Sequence, residues 1–143
     1  VSYSFKGITG YYECGGTVTN DFDRVFGLAT VKTNLKEVGD CIRGSVVQLD
    51  DLKSDALTIA AGVGQVCSDK FDKFYTSIIE NHKDAQSFTD DFKRELRQGF
   101  KQGRNEKILP YVLGWRSAVS SGWDKRKAPT EKELPDKLFE IGI

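Results

Sequence analysis

Two apolar stripes of helical period, joined by the polar segment LDDLKSDA at residues 49–56, constrain this chain more than any other feature. Before the segment, Leu35, Val38, Ile42, Val46 and Leu49 recur at helical spacing. After it come Leu57, Ile59, Ala60, Val63 and Val66. An amphipathic helix that shows one apolar side must bury it, and two such helices across a short turn bury theirs together. The spacing predicts a helix over about 34–49, a turn built from Asp50, Asp51 and Ser54, and a second helix capped by Ser54 with Asp55 in its first turn. Short acidic side chains suit both a turn and the positive end of a helix.

The same pattern extends along the chain. Phe71, Phe74, Tyr75, Ile78 and Ile79 carry the stripe on towards residue 80. Asn20 is placed to cap a helix bearing Phe22, Val25 and Phe26. Ser87-Phe-Thr-Asp90 resembles a capping box, opening a helix with Phe88, Phe92, Leu96 and Phe100 on one side. A further helix is expected from Glu106 to about Ser121, with Pro110 in its first turn, where proline is tolerated. Residues 1–13 alternate like a strand or short hairpin, and 1–19 as a whole read as extended chain and loop. A short C-terminal helix is expected to be broken by Pro135. The expectation is a mostly α fold: residues 1–143 as a single-domain bundle of about five or six helices with a short extended N-terminal segment. A chain of 143 residues suffices for one core. The longest weakly polar run, Leu57–Gly64, falls far short of the about 20 residues that a membrane span needs.

Three cysteines punctuate this scheme. Cys41 lies 11 residues before a turn centred near Leu52 and Cys67 lies 15 after it. At about 1.5 Å per residue the mismatch along the two helices is about 6 Å. A disulfide is within reach, and two thiols buried as small apolar side chains are the alternative. Cys14, in a glycine-rich stretch, is left as a free thiol, as a link to another chain, or as a substitute partner for one of the other two. No metal site is expected, because zinc ligands come in close pairs and these cysteines are isolated. Nor does His82, in the polar run ENHKD, form a nucleophile signature with any thiol. A solvated surface histidine is the expectation there.

The succession Cys41, Leu49-Asp50-Asp51, Ser54-Asp55-Ala56, Cys67 resembles small exported helical bacterial proteins with a cysteine-stapled helical hairpin. That resemblance spans residues 41–67. It implies a disulfide between Cys41 and Cys67 and an oxidising compartment, secreted or periplasmic, and it implies no reaction. The chain opens on Val1 and contains no methionine, which fits a product from which a leader has been cleaved.

Charge is balanced overall but not along the chain. Residues 1–92 carry nine Lys and Arg against fourteen Asp and Glu, a balance of −5; residues 93–143 carry twelve against seven, a balance of +5. Such asymmetry marks either a basic binding face or two portions that attract one another within one fold. Lys93, Arg97, Lys101 and Arg104 fall on one side of a helix beside the Phe88–Phe100 stripe, and Trp115 and Trp123 follow glycines. Tryptophan and arginine are enriched at binding hot spots, so these six residues are the candidate contacts for another protein. Neutrality overall argues against nucleic acid. No paired carboxylates, phosphate loop or nucleophile motif is present, and no cofactor is expected. The reading is a non-enzymatic exported protein-binding or accessory subunit, with inhibition of the partner as one mode. The alternative is a carrier whose phenylalanines, Phe22 and Phe26 among them, line an apolar cavity.

Overall fold

The computed structural model describes residues 17–129. Six α-helices run through them: α1 (Thr17–Phe26), α2 (Ala29–Leu49), α3 (Ala56–Val66), α4 (Ser68–Glu80), α5 (Asp90–Gln102) and α6 (Arg104–Ser120), with a 3₁₀ turn at Ala85–Ser87. The described residues contain no strand, and the protein is a mostly α bundle. The extended segment expected at 1–13 and the short helix expected near the C-terminus lie outside the described residues.

The longest helix, α2, is the axis of the bundle and packs against α1, α3, α4 and α6. Its two portions have different neighbours. Near its start, Glu37 meets Lys73 of α4 at 3.2 Å. At its end, Leu49 lies beside Gly62 of α3. Thus α3 and α4 together run antiparallel to α2, bent at Cys67. α5 lies along α4, and α6 runs antiparallel to α3. Trp115, Tyr111, Phe71, Phe100 and Ile42 are the largest side chains closed off from solvent where these helices meet.

The segment 49–56 divides its work among three aspartates. Asp50 is buried: its carboxylate accepts two hydrogen bonds from the Arg116 guanidinium of α6, at 2.8 and 2.9 Å, and one from Leu52 N–H at 2.9 Å. Asp51 stays in solvent and accepts from Lys53 N–H and Ser54 N–H, at 2.9 and 2.7 Å. The Ser54 hydroxyl, with those two amides, holds the Asp51 carboxyl down at about 2. Asp55, not Ser54, caps α3, accepting from Leu57 N–H and Thr58 N–H. The turn also holds Leu52 at φ 63°, a left-handed conformation rarely adopted by a leucine. Its partly buried side chain, packed against the core, offsets the cost of about 1–2 kcal/mol.

Other boundaries differ from the sequence reading for identifiable reasons. α1 starts at Thr17, so Asn20 is inside the helix and is no cap. The helix expected to run to Cys67 ends there, and Cys67 also starts α4, which carries the stripe on to Glu80. Thr89 caps α5 by accepting from Phe92 N–H at 3.0 Å, while Ser87 is spent in the 3₁₀ turn, donating to Asp84 O. α6 begins at Arg104, so Pro110 is inside it and not in its first turn. Gly64 explains the close approach of α3 and α6: a Cβ there would stand 2.8 Å from Asn105 Oδ1 and 3.0 Å from Arg104 Nε.

A buried carboxylate left without its cation, or a cation left without its carboxylate, is strongly destabilising. Asp50→Ala is expected to cost about 3 kcal/mol in urea unfolding, and Arg116→Ala a similar amount. Asp51→Ala, one residue away but in solvent, should be clearly milder.

Candidate functional site

Cys41 and Cys67 are joined in a disulfide, with Cα atoms 6.0 Å apart. The mismatch of the sequence estimate shrinks because residues 50–55 are not helical and add no rise. Counting only helical residues, Leu49 to Cys41 and Ala56 to Cys67 differ by about 4.5 Å. Cys67 is fully buried, Cys41 partly, and the Ser45 hydroxyl lies 3.5 Å from Cys67 Sγ. The bond fastens the bend between α3 and α4 to the middle of α2. It leaves neither thiol free for chemistry; Cys14 lies outside the described residues. Among the described residues no group of three or more His, Cys, Asp and Glu could hold a metal ion.

His82 is the largest departure from expectation. It is 3% exposed, not solvated. Its Nδ1 accepts from Asp84 N–H at 3.0 Å and stands 3.8 Å from Asp21 Oδ2, and its ring packs on Phe88 at 5.1 Å. Of the polar run ENHKD only His82 turns inward, against Asp21 and Phe88, while Glu80, Asn81 and Lys83 stay exposed. Asp21 accepts from Arg24 twice, at 2.8 and 2.9 Å, and from Lys83 N–H at 2.8 Å. Arg24 also donates to Asn81 O, which ties α1 to the end of α4. The Arg24 hydrogen bonds above all hold the Asp21 carboxyl down at about 2, against the pull of burial.

The six expected partner contacts separate. Lys93 pairs with Glu80 at 2.9 Å and Lys101 with Asp72 at 3.4 Å. The eight-residue spacing of the two lysines matches that of the two acids in reverse order, so these pairs close α5 onto the antiparallel α4. Arg97, between them, is partly buried and makes no ion pair among the described residues. Arg104 lies with its guanidinium 5.7 Å from the Phe71 ring centre, and its Nε is buried without a hydrogen-bond partner among the described residues. Trp115 is 1% exposed and closes the core, so it is out of reach of any partner. Three of the charge links between elements, Lys93–Glu80, Lys101–Asp72 and Arg116–Asp50, join the basic C-terminal portion to the acidic N-terminal one. Much of the asymmetry is therefore spent inside the fold.

Trp123 remains. It is partly buried beyond α6, and its indole N–H donates to Lys127 O at 2.8 Å. Lys127 Nζ stands 5.4 Å from the centre of its ring. Lys125, Arg126 and Lys127 are all exposed. Asp124 pairs with Arg126, which holds its carboxyl below the usual carboxylate range. Sequence reading found Trp123 through its neighbours, but gave it no more weight than the buried Trp115.

The aromatics that would line a carrier's cavity pack on one another. Tyr75 stacks on Phe100 at 5.2 Å, and Phe88 meets Phe92 edge-on at 4.9 Å. Among the described residues no helix is long and apolar enough to cross a membrane. No family model, curated protein or solved structure matches the chain.

Two outcomes are expected. Alkylation without reductant should leave Cys41 and Cys67 unmodified and linked in peptide maps, and reduction should lower unfolding stability by about 3.5 kcal/mol, the closure entropy of a loop of this size. Because the folded carboxyl of Asp21 is depressed, its contribution is whole above pH about 4 and is lost as pH falls towards about 2. Acid titration of stability should show a loss of about 2 kcal/mol over that window, absent in Asp21→Asn.

Proposed function

We propose that this is a non-enzymatic exported protein that acts by binding another protein through the basic turn at Trp123–Lys127. The observation that carries the reading is that turn: three adjacent exposed cations braced on a tryptophan whose own hydrogen bond is satisfied. Lys125, Arg126 and Lys127 against Asp124 leave a local balance of +2. A pre-formed cationic knob loses little entropy on docking, and its charge steers an acidic partner. The partner is therefore a protein with an acidic patch next to apolar surface that can take the edge of the indole. Arg97 extends the same chemistry elsewhere on the surface, but Lys93, Lys101 and Arg104 have structural duties. The disulfide supports a place outside the reducing cytoplasm, secreted or periplasmic, as does the resemblance of residues 41–67 to exported stapled hairpins.

A photo-crosslinking residue placed at Lys125, in the host that makes the protein, tests this. One discrete adduct is expected, absent when the probe sits at Ser117 on α6 and lost when Arg126→Glu and Lys127→Glu are added. Equal adducts at both positions, or none at Lys125, would remove the turn as the binding surface.

A further inference from the structure

His82 stands just beyond α4 with its side chain closed off from solvent. Two consecutive backbone amides fasten the chain around it. Lys83 N–H donates to Asp21 Oδ2 at 2.8 Å, which ties the chain after α4 to α1. Asp84 N–H donates to His82 Nδ1 at 3.0 Å, which ties the same chain to the imidazole. A ring nitrogen that accepts a hydrogen bond carries no proton. The second bond therefore assigns the tautomer: His82 is neutral, with its proton on Nε2.

The next proton on this ring can enter only at Nδ1. It turns that nitrogen from acceptor to donor, and Asp84 N–H then faces another N–H. The protonated ring needs an acceptor, and one is near. Asp21 Oδ2 stands 3.8 Å from Nδ1, about 0.9 Å beyond an ordinary N–H···O bond. Asp84 Oδ2 is almost as close, at 4.0 Å, but its side chain is 41% exposed and screened by water, whereas that of Asp21 is 5% exposed. Asp21 also has room. Its oxygens accept from Arg24 Nε, Arg24 Nη2 and Lys83 N–H, and a carboxylate offers about four sites. The other charged groups nearby on α1, α4, α5 and the connecting turn are paired or in solvent. Arg24 holds Asp21 and Asn81 O, Glu80 pairs with Lys93, and Asp23, Lys83, Asp90 and Asp91 are exposed.

We propose that His82 is a proton-operated latch that changes partner. Neutral, it holds the turn after α4 through Asp84 N–H. Protonated, it lets that amide go and holds α1 through Asp21. What loosens in acid is the stretch that begins at Asp84: the 3₁₀ turn Ala85–Ser87, and Phe88, whose ring packs on His82. α1 is held in both states. The latch shares no residue with the Trp123 turn and does not rest on the function given to that turn.

Nuclear magnetic resonance of the full-length, oxidised, isotope-labelled protein tests this between about pH 8 and 5, the span in which imidazoles change charge. At the upper end the ring nitrogens of His82 should report the Nε2–H tautomer. As the ring titrates, hydrogen exchange at the Asp84 amide, corrected for the intrinsic effect of pH, should rise about tenfold, as expected for one lost hydrogen bond. The Lys83 amide, bound to Asp21, should show no such rise. Two variants separate the partners. In His82→Asn the side-chain oxygen accepts from the same amide two residues on and does not titrate, so the rise should vanish. In Asp21→Asn the waiting carboxylate is gone, so the rise should begin at lower pH. An Nδ1–H tautomer at pH 8, a ring that stays neutral throughout, an Asp84 amide indifferent to the titration of His82, an equal rise in His82→Asn, or an unshifted rise in Asp21→Asn would each overturn the proposal.

Discussion

A carboxylate taken out of water must be met by a cation and by hydrogen-bond donors, and at Asp50 both come from fixed positions. The Leu52 amide is local, and Leu52 itself stands in the left-handed conformation. The guanidinium comes from Arg116, 66 residues away, and also donates to Ser54 O. One side chain thus sets the end of α2, the shape of the turn and the height at which α6 lies along α3. At the other end of that crossing, Gly64 lets the first turn of α6 sit directly on the α3 backbone. These two contacts fix α6 at both ends, and the Trp115 and Tyr111 core lies between them.

The disulfide acts on a different weakness. The segment from Ala56 to Glu80 carries one apolar stripe but has a break at Cys67, where helical hydrogen bonding restarts. A break in the middle of a bundle is a place where the two halves could hinge. The covalent link to Cys41, at mid-height on α2, anchors that point. Ser45 lies against Cys67 Sγ, so the site is closed as well as tied. A redox-active pair has another design, with an exposed attacking sulfur in an electropositive setting. Here one sulfur is fully buried and the bend depends on it, which accords with a structural staple.

Charges that looked like a binding face in the sequence become seams between helices. A lysine every eighth residue on α5 meets an acid every eighth residue on α4, a pairing visible only once the two helices are known to be antiparallel neighbours. What remains exposed is smaller and elsewhere: a cationic turn braced by Trp123, and uncharged residues on the outer side of α3. His82 went the other way, from expected solvent to burial against the Asp21 carboxylate and the Phe88 ring.

The sequence by itself determined the helices, the position of the turn at Asp50–Asp55 and the reach of Cys41 to Cys67. Those follow from periodicity, turn chemistry and rise per residue, all local to the chain. Helix ends were less legible. Asp55 against Ser54, or Thr89 against Ser87, is decided by which oxygen can reach the second or third amide, and both candidates have the right chemistry. Only the tertiary structure decided which charged and aromatic residues are spent. Lys93, Lys101, Arg116, Trp115 and His82 are committed by partners that lie 13 to 66 residues away in sequence, or by burial among several helices. Their fate is a property of packing, and no pattern along one helix encodes it.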